Sequence, residues 1–464
     1  MVGGRLVAST LLASGIMAVV ESVLDFGYTS SDDSWVVTSG DGLTITMDQD
    51  TCDITSMLWN DFELQYSAKN THVNSGLGTV TSSIKTLDDS TIQITCTIPG
   101  LEQTYLFRPN ENAIYMGTYH TTDAELRFLA RLDRTTINNG MSSASEIDGM
   151  SAIESTDIYA DDDGVTASKF YSAIPFIEDQ VHGVTGDAGG VYFIMSDNAY
   201  EKSVGGPFYR DINNQCTTAN ELTFYMFSDH TRTEDYRYGF HGPYALVFTD
   251  GTAPSTSDVD FDFFQDLDLT GFTSETERGS VSGSIIDSND VLGSSGVVVS
   301  FSNDDAQYWV SVDSNATMFT SPLMRPAVVT GGSTTTQTLE VTYELESSPI
   351  WRIGEWDGAS DGFLNAANIH TMHPSDSRLE TAADVAASQR TVTGLQRCSR
   401  PWLFQRGITR GVTLGNYKHY EYSIPSSALV TGTNTIELSV ASGSTDSSEE
   451  WLSASVVFDA IELV

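Results

Sequence analysis

Positive charge is what this chain has least of. Of its 464 residues only five are lysine, and 22 lysines and arginines stand against 63 acids, a formal charge of −41. Phosphate binding wants a basic field, so this balance excludes nucleic acid as a partner. Cysteine is also scarce. Cys52, Cys96, Cys216 and Cys398 form no CxxC pair and no Cys/His cluster of zinc-ligand spacing. Long apolar runs are missing too. After Arg5 comes LVASTLLASGIMAVV, too short and too interrupted to span a membrane, and it reads as the core of a signal peptide over residues 1–22. A buried first helix is the alternative reading. No later run is long enough to cross a bilayer, so no membrane partner is expected. Helical periodicity is nearly absent, with LETAADVAASQ (379–389) the best candidate.

What remains is a foldable, strand-forming chain. Hydrophobic residues make up 40% and charged residues 18%, so the composition is not that of a disordered protein. GLTITMD, STIQITCTI, GVYFIMS, ELTFYMF, YALVF, GVVVSFS, QYWVSV and TIELSV are short β-branched and aromatic runs separated by Gly, Asn, Asp and Ser. Many short strands with polar turns imply an all-β protein of sandwiches or barrels. The length calls for two to four domains. FTDGTAPSTSDVDFDFF is polar and aperiodic and ends a first domain near residue 252; ELESSPIW ends a second near 348. The expected units are 23–252, 253–348 and 349–464. In a secreted chain Cys52 and Cys96, both in strand-like runs, are the expected disulfide pair. A sequon stands at Asn315. The stretch 388–410, SQRTVTGLQRCSRPWLFQRGITR, holds five arginines and departs from everything around it; it reads as an exposed basic loop.

Three stretches can carry chemistry. In ELRFLARLD, Arg127 and Arg131 share a strand face about 13 Å apart, an anion site or a pair of salt-bridged surface arginines. In SVGGPFYRDINN, two glycines permit close backbone approach, and Arg210 and Asp211 can pair; the spacing is not that of a phosphate loop. In ELTFYMFSDHTRTEDYRYGFHGPYALVF, His230, Arg232, Glu234, Arg237 and His241 mix with tyrosines in the manner of a sugar-binding surface. Paired carboxylates such as Glu355 and Asp357, with Asp361, are the competing hydrolase chemistry. Taken alone, Lys169 in DDDGVTASKFYS is a surface lysine balanced by Asp161, Asp162 and Asp163.

Taken together, TCDITSML, ELQYS, ELRFLARL, SKFYS, GGPFYRDIN, DHTRTEDYRYGFHGPYALVF, DDAQYW, IGEWDGASDGFLNAAN, MHPSDSR, RGITRG and GTNTIELSV resemble the fungal-type rhamnogalacturonan lyases of polysaccharide lyase family four (rhamnogalacturonase B type), in order and over nearly the whole chain. The resemblance implies a large N-terminal β-sandwich with the active site, a fibronectin-III-like sandwich and a C-terminal jelly roll like a carbohydrate-binding module. It implies a secreted, extracellular monomer that cleaves rhamnogalacturonan I by β-elimination, with no cofactor required and no sequence support for calcium. It places catalytic groups at Lys169 and His230, in either order of base and acid, and substrate contacts at Arg127, Arg131, Arg210, Tyr225 and Glu234. A family disulfide falls on Gly183 and Tyr192 and is therefore absent. The second and third domains are shorter than the family pattern. The alternatives are a carboxylate-based hydrolase and a pectin-binding or surface protein on an inactive lyase scaffold.

Overall fold

The computed structural model describes residues 25–139, 149–154, 158–168, 170–172, 174–209, 211–216, 218–227, 234–288, 296–313, 317–326, 328–341, 349–354, 421–435 and 460–464. The signal-peptide segment, the helical candidate 379–389, Asn315, the carboxylates Glu355, Asp357 and Asp361, and the basic stretch 388–410 lie outside these residues. Within them the chain is built of strands and short 3-10 turns, with no α-helix among the described residues.

Three antiparallel sheets share the first and largest core. One has five strands in chain order from Gly27–Ser30 to Phe62–Glu63. A seven-stranded sheet runs in the order Val181–Gly186, Gly189–Met195, Gly239–Thr249, Ala113–His120, Leu101–Phe107, Ile92–Ile98, Thr81–Thr86. The third, called here the site sheet, runs Phe170–Ser172, Asn214–Cys216, Asn220–Phe227, Leu126–Leu132, His72–Val73. Strict alternation marks the half-buried strands. Leu43, Ile45 and Met47 turn inward while Thr44, Thr46 and Asp48 turn out. Between the sheets, Phe128, Phe193, Phe224 and Tyr244 meet edge to face or tilted, with centroids 4.8–6.5 Å apart. Each fully buried ring of this kind stabilises the fold by roughly 1.5–3 kcal/mol.

Cys52 and Cys96 are joined in a disulfide, with Cα atoms 6.3 Å apart and a separation of 44 in sequence. The bond ties the turn before Ile54–Trp59 to Ile92–Ile98, and so links two sheets. Closing a loop of that length contributes on the order of 4 kcal/mol. Gly183 and Tyr192 face each other across a hairpin. The tyrosine ring covers the glycine so closely that a Cβ there would lie 2.1 Å from it.

Residues after Thr252 do not leave the sandwich at once. Val259, Phe264 and Leu269 pack with Leu106, Tyr115, Ile194 and Phe240 on the outer face of the seven-stranded sheet. That cover explains why Ala113–His120 reads as one apolar run with no alternation, since both its faces are buried. A smaller core follows. Ser280–Ile286 pairs with Met318–Thr320 and, in parallel, with Thr334–Glu340, while Val297–Ser302 pairs with Gln307–Val312. Val281, Val299, Tyr308 and Phe319 fill it. Beyond it Trp351–Gly354 pairs antiparallel with Ala460–Leu463.

Candidate active site

The arginine pair lies where its spacing put it. Leu126–Leu132 is an interior strand of the site sheet, and its apolar residues Phe128, Ala130 and Leu132 enter the main core. Arg127 and Arg131 take the opposite face. Directly across on Asn220–Phe227 stand Tyr225 against Arg127 and Glu221 against Arg131. Two residues four apart on each strand therefore form one polar patch on an otherwise apolar sheet.

The two arginines have different surroundings. Arg127 is half-buried and donates from Nη1 to the Tyr225 hydroxyl, and at 3.4 Å to Glu125. Its guanidinium sits 5.3 Å from the Tyr225 ring centroid. Its Nε is buried without a hydrogen-bond partner among the described residues. Burial works against its charge, but Tyr225, Glu125 and Glu221 outweigh that and raise its pKa above the ordinary arginine value, so it is a fixed cation. Tyr225 is 5% exposed, and burial pushes its phenol well above the usual range; Asp211 and Glu125 add to this while Arg127 opposes it. The phenol therefore carries its proton and cannot serve as a base near neutral pH.

Arg131 is held from several sides. Its Nε donates to Glu221 at 2.9 Å, and its Nη1 donates to the Asn70 carbonyl at 2.8 Å and to His72 Nε2 at 2.6 Å. Its backbone N–H donates to the Thr71 hydroxyl at 2.8 Å. His72 in turn faces Asp53 at 3.3 Å. Glu221 also accepts from Gln215 on the next strand. Glu221, His72 and Asp53 carried no signal in the sequence. Glu221 is one acid among 63, and its meaning comes only from standing opposite Arg131 across the ladder.

Lys169, His230 and Arg210 lie outside the described residues. Their chain neighbours do not. Phe170–Ser172, which begins one residue after Lys169, is the edge strand of the site sheet, and Asn220–Phe227, which carries Tyr225, ends three residues before His230. Arg210 stands between Tyr209 and the buried Asp211, and the next residue, Ile212, packs against Tyr225. In the acidic turn before Lys169, Asp161 accepts from the backbone of Asp163 and Val165 at 3.0 and 2.8 Å. Asp162 and Asp163 are exposed.

In the stretch 221–248, read from sequence as a sugar-binding surface, Arg237 and His241 are buried. Glu234 is bound to Arg237 at 2.6 Å and not to the arginine pair. Arg237 is 5% exposed and spends its other donors on the carbonyls of Ser203 and Asn303. His241 is fully buried, with neither ring nitrogen hydrogen bonded among the described residues. Arg237 serves a junction between cores. Lys202 is buried with a lowered pKa, the first cause being burial, yet it belongs to that junction as well, bonded to Asp305 at 2.9 Å. His182 and Asp179, 2.6 Å apart, resemble a catalytic dyad, but the second ring nitrogen donates to the Thr223 carbonyl, which leaves no free nitrogen for a substrate. Among the described residues no group of three His, Cys, Asp or Glu side chains is placed to hold a metal ion.

Three family models match the chain: the N-terminal domain of rhamnogalacturonan lyase B over residues 26–271, and domains II and III of polysaccharide lyase family 4 over 277–328 and 381–463. The chain is 37% identical to a probable rhamnogalacturonate lyase A of Aspergillus flavus, covering 94% of this chain and 96% of that protein. It is 36% identical to rhamnogalacturonate lyase A of Aspergillus aculeatus, again over 94% and 96%. A rhamnogalacturonate lyase A of Aspergillus niger is 41% identical over 79% of this chain and 76% of its own. The first alignment runs over 518 positions against 464 residues here, so that relative carries stretches this chain lacks.

Proposed function

The chain belongs to polysaccharide lyase family 4, and from that premise we propose that it is a secreted endolyase that cleaves rhamnogalacturonan I at the rhamnose–α-1,4–galacturonic acid bond by β-elimination. The observation that carries the reading is the polar patch of the site sheet. It holds a permanent cation, Arg127, with a buried and unpartnered Nε, beside a protonated tyrosine. Such a group suits a uronate carboxylate, which offers two acceptor oxygens in a plane.

The chemistry explains why a cation is needed first. The C5 proton of a galacturonate is feebly acidic while its carboxylate is ionised. Arg127 against the carboxylate stabilises the enolate-like charge that develops when the proton leaves. Lys169 takes that proton. The electron pair of the C5–H bond forms the C4=C5 double bond, and the C4–O4 bond breaks toward oxygen. His230 donates a proton to the departing rhamnose oxygen. A lysine acts as base only when neutral, and nearby cations lower its pKa. Arg210 and Glu234 complete the substrate contacts in this reading, and Arg131 holds the patch in register. The cation is supplied by the protein, so the reading calls for no cofactor. The products are a chain ending in rhamnose and one beginning with a 4,5-unsaturated galacturonate.

The test is release of ultraviolet-absorbing unsaturated product from purified rhamnogalacturonan I, with homogalacturonan as the control. Wild-type protein should form it from the first substrate only. Lys169→Ala should form none while keeping the far-ultraviolet circular dichroism of the wild type. An active Lys169→Ala variant removes Lys169 from the mechanism, and hydrolysis without unsaturated product removes the elimination itself.

A further inference from the structure

Arg131 has five N–H donors, and three are committed: Nε to Glu221, and both on Nη1 to the Asn70 carbonyl and His72 Nε2. Nothing among the described residues takes the two on Nη2. The His72 contact is the informative one. A guanidinium can only donate, so at 2.6 Å the Nε2 atom must accept, and His72 is neutral with its proton on Nδ1. Nδ1 lies 3.3 Å from Asp53 Oδ1 without a formed hydrogen bond, close enough for the carboxylate charge to favour the proton on that nitrogen. Asp53 is itself fixed, because its other oxygen accepts from Asn70 at 3.2 Å and its neighbour Cys52 is held in the disulfide. The same Asn70 gives its carbonyl to Arg131.

We infer that Asp53 and His72 are positioning residues for Arg131, a carboxylate–imidazole–guanidinium relay in which Asp53 selects the tautomer of His72 that can accept from Arg131. The inference rests on the arginine pair being the substrate-facing patch. Its logic is that of a carboxylate holding an imidazole in one tautomer, with a cation where a nucleophile's proton would be. Protonating His72 would set an N–H on Nε2 against an N–H of Arg131 and place two cations in contact. Arg131, Asp53 and, through Arg131, Glu221 are the charged groups that face the imidazole. The Cys52–Cys96 disulfide, beside Asp53, gives the relay a covalent anchor.

Two variants and one spectrum test this. His72→Leu removes the acceptor and should lower kcat/KM on rhamnogalacturonan I on the order of tenfold to a hundredfold, the usual cost of loosening a positioned group. His72→Gln keeps an accepting oxygen and cannot titrate. It should recover most of that loss. Independently of activity, nitrogen-15 spectra of histidine-labelled full-length protein, with His72 assigned by its absence in His72→Gln, should show a protonated Nδ1 and a bare Nε2. Equal activity of His72→Leu and wild type overturns the inference. So does a His72→Gln variant no better than His72→Leu, or a proton on Nε2. A wild-type protein inactive on the polysaccharide counts against the proposed function alone, and the spectrum then decides this inference by itself.

Discussion

Arg127 and Arg131 show how two residues of one type, four apart on one strand, divide their work. Arg131 has Glu221, Asn70 and His72 around it and is 7% exposed. Among the described residues Arg127 has the Tyr225 hydroxyl and a long contact to Glu125, and keeps a buried donor unused. Arg127, the more exposed of the two and the less tightly held, is the one available to a ligand. Replacing Arg127 by lysine keeps the charge but removes the planar fork, and a single ammonium cannot meet both carboxylate oxygens in plane. Arg127→Lys should therefore lower kcat/KM for unsaturated product about a hundredfold to a thousandfold, as loss of a preorganised donor does. Thermal unfolding should move little, because the arginine is partly exposed. A variant with wild-type turnover would mean that the carboxylate binds elsewhere. The aspartates ahead of Lys169 show a similar division. Asp161 is spent on the backbone of its own turn. It caps the loop, which the bare run of three acids could not reveal.

At the scale of the strand, what was legible depended on whether one face meets solvent. Leu43–Asp48 alternates cleanly and was readable as a strand with its inward residues. The arginine pair was readable for the same reason, since polar residues at even spacing in an apolar strand must share a face. Asn220–Phe227 is buried at all eight positions, so the outward Glu221, Thr223 and Tyr225 are not distinguished by pattern. His72 sits on a two-residue strand whose register against Leu129 is set by long-range pairing that no local period encodes. Tyr225 and Glu234 were named through family likeness, not periodicity. Within the stretch 221–248, His241 is polar in type and apolar in place. Its pKa is held well below the ordinary histidine value, first by burial and then by His120, Lys202 and Arg325, with the Arg237 backbone opposing. Folded His241 is thus neutral, while in the unfolded chain it titrates near the usual value of about 6.5. Below that pH the unfolded state takes up a proton that the folded state refuses. Stability is present above that value and falls as the pH drops through it, by about 1.4 kcal/mol per pH unit for one proton. His241→Leu removes that proton and an unpaired buried polar group together, a change that is near neutral at higher pH. Urea unfolding at about pH 7.5 and about pH 5 should show a smaller loss in His241→Leu than in wild type. Equal losses would place the acid sensitivity in other groups.

At the scale of the molecule, the second core is built into the first by buried polar contacts. Glu201, 1% exposed at its side chain, binds Arg278 at 2.8 Å and Arg325 at 3.2 Å, and accepts from the Tyr308 hydroxyl at 2.5 Å. Gln307 donates its backbone N–H to the Glu201 carbonyl at 2.9 Å and accepts from Gly206 at 3.0 Å. Gly206 belongs to the Gly205–Gly206 turn, where a Cβ on Gly205 would lie 2.2 Å from the Tyr209 ring. That turn leads through Tyr209 to Arg210 and on to Ile212, which touches Tyr225. Arg237 reaches the same junction from the segment that carries Glu234. Both segments that feed the patch are therefore braced on the second core, and a lyase domain separated from it would lose two of its supports. Glu201→Gln tests this with one atom pair changed. It leaves Arg278 and Arg325 buried without their counter-charge, which costs about 3–5 kcal/mol. The urea midpoint should fall accordingly. In buffer well below that midpoint, KM for rhamnogalacturonan I should rise more than kcat falls, because the turn bearing Arg210 loosens while Arg127 and its sheet stay in place. An unchanged KM alongside a lowered midpoint would confine the junction to stability and free the active-site loops from it.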